Sequence, residues 1–369
     1  MSSLFIGLMS GTSADGIDAA LVDISSTTFK LHHFISLPLK AELRERLLQL
    51  NTDQTLHLKE LCALQYEVGN AFSEAVRELL EEAKISAEQI TAIGSHGQTL
   101  YHAPEHSMSL QIGHPAVIAK QSGIQTAADF RIDDMAVGGQ GAPFAPAFHQ
   151  RLFQSDQTTL AVNIGGIANI SVIPGKADRA TILSGFDTGP GNGLIDEFCR
   201  QKFNRSYDRN GELAAQGTLQ PALLKKLLAD PYFQKTAPKS SGRDYFNFEW
   251  LKTRLHDLKK MSDLNLLTTL TELTAVSIAD EVNKIKPAYS SPLWICGGGA
   301  HNAYLMGRLQ ALLPEARVLS SKEAGIDPDA VEAVLFAWLA YQRIHNSTVP
   351  LKDVTGADRN VILGGVWQP

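Results

Sequence analysis

Leu4-Phe5-Ile6-Gly7-Leu8-Met9-Ser10-Gly11-Thr12-Ser13-Ala14-Asp15-Gly16-Ile17-Asp18-Ala19-Ala20-Leu21-Val22-Asp23-Ile24 places two apolar runs on either side of a segment of Gly, Ser, Thr and Asp. The spacing predicts a β-hairpin with a polar turn. Gly11 and Gly16 permit positive φ and close backbone approach, Ser10, Thr12 and Ser13 supply hydroxyls, and successive N–H groups can form an anion nest. Asp15 and Asp18 would repel an anion unless a divalent cation stood between, so a nucleotide–Mg²⁺ pocket is the sharper reading. Gly, Ser, Thr and Asp also make any tight turn, and this stretch alone leaves both readings open.

The same plan of strand, glycine turn and strand returns at Leu160-Ala161-Val162-Asn163-Ile164-Gly165-Gly166-Ile167-Ala168-Asn169-Ile170-Ser171-Val172-Ile173. Two such hairpins half a chain apart predict two similar lobes, each offering a phosphate loop to one cleft. Leu293-Trp294-Ile295-Cys296-Gly297-Gly298-Gly299-Ala300-His301-Asn302 adds an apolar strand that runs into three glycines and then a helix over 303–313. A strand, glycine turn and helix start can take a nucleotide base or phosphate flat against the backbone.

The order of these elements resembles the actin, Hsp70 and sugar-kinase superfamily. Met9-Ser10-Gly11-Thr12-Ser13-x-Asp15-Gly16-x-Asp18, Ser95-His96-Gly97-Gln98-Thr99, Asn163-Ile164-Gly165-Gly166-Ile167-Ala168-Asn169 and Phe186-Asp187-Thr188-Gly189-Pro190-Gly191-Asn192 are similar to the anhydro-N-acetylmuramic acid kinase family. The likeness runs from Leu4 to about Gly364 with each motif in order. It implies an α/β, two-lobed actin/Hsp70/hexokinase-like (ribonuclease H-like) fold with a central interlobe cleft, ATP as co-substrate, Mg²⁺, an amino-sugar substrate and a homodimer. ATP contacts are expected at Gly11, Thr12, Ser13, Ala14, Asp15, Gly16, Ile17, Asp18, Asn163, Gly165, Gly166, Gly297, Gly298, Gly299 and Asn302. Mg²⁺ is expected at Asp15 and Asp18, through water. The lobes are expected at 1–137 and 138–369.

With 369 residues the chain has length for two domains, and 44% hydrophobic with 20% charged residues is the balance of an ordinary soluble globular protein. A net charge of -6 argues against nucleic acid, since a phosphate-tracking surface needs a basic excess. Cys62, Cys199 and Cys296 are widely separated and lack CxxC spacing, so no disulfide framework or zinc site is indicated and a reducing cytoplasm is favoured. The first apolar run lacks a preceding basic residue and is too short for a signal peptide. No run approaches the ~20 apolar residues of a spanning helix.

Further along, Ile90-Thr91-Ala92-Ile93-Gly94 reads as a short buried strand that stops at Ser95-His96-Gly97-Gln98-Thr99. On spacing alone His96 is a turn histidine satisfying a carbonyl; the family resemblance makes His96 and Gln98 sugar ligands. Arg131 offers a planar two-donor fork for the lactyl carboxylate of muramic acid, or pairs on the surface with Asp129 or Asp133. Val137 to Pro146, rich in Gly and Pro, fits a bridge between lobes and a hinge for closure. Asp187 stands where a strand gives way to a helix, and as residues alone it reads as an N-cap. The resemblance instead makes Asp187 the catalytic base, with Gly189 and Asn192 at the substrate. Glu332, one charge inside an apolar helix, must find a partner or face the cleft, and is carried as a second catalytic candidate. The basic loop Lys239 to Asn247 could touch ATP phosphates, shape the second lobe or form a solvated face, and it is assigned no role.

The reaction that the resemblance implies is hydrolysis of the 1,6-anhydro bond of 1,6-anhydro-N-acetylmuramic acid coupled to phosphorylation of its 6-oxygen. An ordinary amino-sugar kinase would use Asp187 to deprotonate a hydroxyl directly. A nucleotide-driven binding module would normally carry a further substrate domain. A glycosidase using Asp187 and Glu332 as paired carboxylates would leave the phosphate-type loops without purpose.

Overall fold

A computed structural model of the chain describes residues 3–11, 13–26, 28–52, 55–255, 261–285 and 291–369. Among them the strands are β1 (Ser3–Ser10), β2 (Gly16–Ile24), β3 (Phe29–Pro38), β4 (Ile90–Ala103), β5 (Met108–Ile112), β6 (Thr126–Ala128), β7 (Thr159–Ile164), β8 (Ile167–Ile173), β9 (Ser184–Pro190), β10 (Leu293–Cys296), β11 (Val318–Ser320) and β12 (Gly365–Trp367). They form two sheets, ordered β12-β6-β4-β1-β2-β3 with β5 beside β4, and β11-β10-β7-β8-β9. Each sheet runs through three antiparallel strands joined in sequence and then adds parallel strands on the far side of the first. The repeat read from the two hairpins is therefore a repeat of topology.

The chain divides into two compact units, Met1–Phe148 with Ala330–Pro369, and His149–Asp329. The division expected at 137/138 places 330–369 with the second part, and the structure differs. Ala330–Pro369 groups with the first unit because the helix Val331–Ile344 lies on the first sheet. Gly7 and Gly94 are register neighbours in β1 and β4. A Cβ on Gly7 would stand 1.8 Å from the Ala333 carbonyl oxygen, and one on Gly94 1.9 Å from that of Phe336. The helix backbone thus touches the sheet backbone. Phe5 and Tyr341 meet edge to face at 5.6 Å on the same side.

The opposite face of β1 and β2 buries Ile6, Leu8, Ile17 and Leu21 against Leu64, Val68, Phe72 and Val76 of the helix Leu58–Ala83. Helices on both faces explain why the Leu4–Met9 run is apolar throughout instead of alternating. The second sheet packs Val162, Ile164, Ile170 and Ile295 against Ile278 and Val282 of the helix Asp263–Ile285 and Leu305 and Leu309 of the helix Ala303–Leu312. A separate aromatic cluster, with Phe198, Tyr232, Phe246 and Trp250, fills the insert after β9.

Two sequence expectations change. The motif Ser95 to Thr99 does not follow the end of a strand but lies inside β4. Gly97, at φ +73, bends β4 so that it leaves its register with β1 and goes on to pair with β5. The Val137 to Pro146 stretch is likewise fixed, within the first unit, by the buried Asp134. Its carboxylate accepts the Gly141 N–H at 2.8 Å and the Thr355 hydroxyl at 2.7 Å, and Gln140 N–H donates to the Thr355 carbonyl at 3.1 Å.

Candidate active site

In the first unit the hairpin turn is closed by Ala14 N–H donating to the Gly11 carbonyl at 3.0 Å. Ala14 takes φ +49 and is fully buried, and Ile17 is core, so only their backbones face a ligand. Ser13 is half-buried in the turn, and Thr12 lies outside the described residues. Gly16 has its Cα against the Leu37 carbonyl, where a Cβ would stand 2.8 Å from the oxygen. Gln98, expected at the sugar, holds the turn: its Nε2 donates to the Gly11 carbonyl at 3.1 Å, and its Oε1 lies 2.7 Å from the Ser10 hydroxyl.

Asp15 and Asp18 have different neighbours. The Arg44 guanidinium donates to Asp15 Oδ1 at 2.7 and 3.2 Å, turning this carboxylate toward the helix Ala41–Thr52. Asp18, on β2, instead belongs to a charge cluster with Glu332 and Arg131. Arg131 does not make the surface pair with Asp129 or Asp133. Its Nε and Nη2 donate to His96 Nε2 at 3.2 and 3.0 Å, and its Nη1 donates to the Gly141 carbonyl at 3.2 Å.

His96 can accept there because burial, and then Arg131, push its pKa down to about 3, leaving the imidazole neutral. Its Nδ1 lies 2.9 Å from the Gly97 carbonyl, which assigns the proton to Nδ1. Burial lowers Arg131 to about 10, with Glu332 opposing. Glu332 is solvent-accessible, yet enough protein surrounds it to raise its carboxyl; Asp18 adds to the rise and Arg131 opposes it. Beside this group the buried Ser95 hydroxyl has no partner among the described residues.

In the second unit the two glycine turns meet at the ends of β7 and β10. Asn163, in register with Cys296, lies under Gly297, where a Cβ would stand 2.4 Å from Asn163 Oδ1 at φ +74. Gly299 rests on Ile164, and Gly298 lies near the Asn192 amide. The helix Asn192–Phe203 docks on the other turn: Asn192 N–H donates to the Gly165 carbonyl at 2.8 Å, and Gly191 and Gly193 N–H donate to that of Gly166 at 3.1 and 3.0 Å. The planar trans peptide then points the Gly166 N–H away from the helix. Asn302 caps the helix Ala303–Leu312 by accepting from Leu305 N–H at 3.0 Å. Gly189 packs on Phe233 and Ser277, which leave no room for a side chain.

A cavity of about 500 Å³ opens beside these turns, lined by Asn192, Asp196, Tyr207, Asp208, Gly298 and Asn302 among others. Its size suits a small organic ligand, and it stands at the carboxyl ends of parallel strands, where α/β sheets bind ligands. Burial pushes the Asp196 carboxyl up to about 6, with Arg200 and Arg243 opposing and Asp208 adding. His301, Asp327 and Asp329, whose ligand atoms lie within 4.8 Å of one another, form a separate group from the expected Asp15 and Asp18.

Asp187 is a strand residue of β9, not a helix cap; the cap position belongs to Gly191. Three bonds hold it. Ser241 N–H donates to Asp187 Oδ2 at 2.8 Å, Asp187 N–H donates to the Lys239 carbonyl at 3.0 Å, and the Tyr232 hydroxyl donates to the Asp187 carbonyl at 2.8 Å. Lys239 is itself buried, paired with Glu281 at 2.8 Å and 5.1 Å from the Tyr232 ring centre. Burial raises the Asp187 carboxyl above the ordinary range and the Ser241 bond opposes this, which improves it as a proton acceptor near neutral pH. Sequence reasoning missed Ser241, Lys239 and Tyr232; the basic loop was the visible signal.

An α/β chain of two sheets with one plan, a glycine turn closing the first hairpin of each, is of the actin, Hsp70 and sugar-kinase type. The family described as anhydro-N-acetylmuramic acid kinase matches residues 3–369, and the chain belongs to it. The anhydro-N-acetylmuramic acid kinase of Hydrogenovibrio crunogenus is 50% identical over 368 residues, covering 100% of this chain and 99% of that one. Those of Coxiella burnetii and Vibrio vulnificus are 46% and 44% identical, covering 98% and 99% of this chain and 97% and 98% of theirs. Among the described residues no helix is long and apolar enough to cross a membrane.

Proposed function

We propose that this chain is an ATP-dependent kinase that opens the 1,6-anhydro bond of 1,6-anhydro-N-acetylmuramic acid and phosphorylates the freed 6-oxygen. Family membership over 3–369 supports the substrate, and the observation that carries the chemistry is Asp187, held by Ser241 N–H with its carboxyl raised by burial. Asp187 accepts a proton from a water that attacks the anomeric carbon. The ring ether breaks there, and the 6-oxygen takes the γ-phosphoryl group as the bond to the β-phosphate oxygen of ADP breaks. Lactyl carboxylate recognition falls to Arg131, presented by neutral His96.

Mg²⁺ is held largely by nucleotide phosphates in such sites. Of the two expected residues, Asp18 would meet it beside Glu332 and Arg131, and Asp15 would meet it by giving up its exposed pair with Arg44. The ion supplies charge neutralisation on the phosphates. A cytoplasmic location and a homodimer complete the proposal.

The test is incubation with Mg-ATP and a panel of amino sugars, the products being weighed by mass spectrometry. A gain of phosphate plus water on the anhydro sugar is expected; phosphate alone would mean an ordinary kinase, and water alone a glycosidase. Arg131→Met should raise KM for the anhydro sugar roughly tenfold to a hundredfold, as loss of a charged hydrogen bond of ~1.5–3 kcal/mol predicts. It should leave KM for ATP unchanged. A variant with native sugar KM removes Arg131 from the clamp.

A further inference from the structure

The loop from Lys239 to Asn247, which holds Asp187 through Ser241, carries a further charged side chain in Arg243. Two residues beyond Ser241, the Arg243 side chain crosses the second glycine turn. A Cβ on Gly166 would stand 2.3 Å from Arg243 Nε and 2.6 Å from its Nη2, so the guanidinium lies flat on the Gly166 Cα. Arg243 is exposed and makes no hydrogen bond or ion pair among the described residues; Asp196 lies only within its electrostatic range. The neighbouring Ser241 hydroxyl is buried and also lacks a partner. An arginine laid over a glycine turn, with no hydrogen-bonded counter-ion among the described residues and one short loop from a carboxylate base, is a site for an anion. The planar fork matches phosphate oxygens, which a Lys point charge does not.

We propose that Arg243 is a further catalytic residue, its guanidinium donating to the γ-phosphoryl oxygens of the nucleotide as the group is transferred. The inference rests on the kinase reading above and deepens it. Arg243 moves no proton. As the bond from phosphorus to the ADP oxygen breaks and that to the acceptor oxygen forms, charge on the phosphoryl oxygens meets a preplaced cation that needs no rearrangement. A side chain on Gly166 would displace the guanidinium from the turn.

The experiment compares native chain and Arg243→Met by calorimetric titration with ADP and with AMPPNP, a non-hydrolysable triphosphate, in Mg²⁺. Loss of roughly tenfold or more in AMPPNP affinity, with ADP affinity unchanged, is expected, because only the triphosphate carries the contacted group. Equal affinities for AMPPNP in the two proteins, or equal weakening of both nucleotides, overturn the proposal whatever the sugar proves to be. Where the native chain turns over the anhydro sugar, kcat of Arg243→Met should fall roughly 10²–10³-fold, as for other preplaced donors. Free guanidinium ion should partly restore Arg243→Ala, and the thermal midpoint should stay native. A turnover defect that comes with a lowered midpoint and no rescue would mean a structural arginine instead.

Discussion

Asp187→Asn should remove most of the turnover while leaving nucleotide binding and the fold intact. The replacement is isosteric, and its amide oxygen can still accept the Ser241 N–H that now bonds to Oδ2. The two main-chain bonds, to the Lys239 carbonyl and from the Tyr232 hydroxyl, do not involve the side chain at all. What is lost is a group able to take a proton, and general bases contribute about 10²–10⁴-fold, so kcat should drop roughly 10³-fold or more. The pH profile gives the sign. The base works deprotonated, and burial raises its pKa, so native kcat should fall on acidification through a value above the ordinary Asp range. In Asp187→Asn the residual rate should be flat there. Near-native turnover, or an unchanged acid limb, would remove Asp187 from the reaction.

The parts of this site that could be read in the sequence are those where backbone and side chain demand the same residue. A glycine between two apolar runs is visible because the turn needs it, and both hairpins and the Gly297 turn appear where expected. Partner choice is less visible. Asp15 and Asp18 are three residues apart, but Asp18 stays in β2 beside the Glu332 and Arg131 charges, whereas Asp15, beyond the strand, is captured by Arg44 from 29 residues away. Gln98 looks like a ligand in a polar motif, yet an amide facing an open turn completes that turn's hydrogen bonds first. His96 and Arg131 are 35 residues apart, and a neutral histidine accepting from arginine follows only from burial, which no spacing records. The Lys239 loop was undetermined for the same reason: its basic residues suggest a solvated face until Lys239 is seen buried against Glu281.

Gly94→Val should unfold or loosen the first unit more than any surface change, and it should do so through the helix that carries Glu332. A Cβ at Gly94 would stand 1.9 Å from the Phe336 carbonyl oxygen and 3.0 Å from Ala340 Cβ. The obstruction is backbone, so no rotamer relieves it and the helix Val331–Ile344 must move off β1 and β4. Overpacking costs about 1–3 kcal/mol where side chains can yield; here at least ~3 kcal/mol is expected, read as a lower urea midpoint. Gly307→Ala provides the contrast. Gly307 is exposed in the helix Ala303–Leu312, and a Cβ there meets nothing within 4 Å. Helix propensity alone should then raise stability by about 0.5–1 kcal/mol. Because Glu332 stands in the first turn of the displaced helix, beside the Asp18 and Arg131 charges, a Gly94→Val chain that still folds should also bind the anhydro sugar more weakly. A native urea midpoint for Gly94→Val would mean that helix and sheet are not in backbone contact, and the placement of Glu332 beside Asp18 and Arg131 would fall with it.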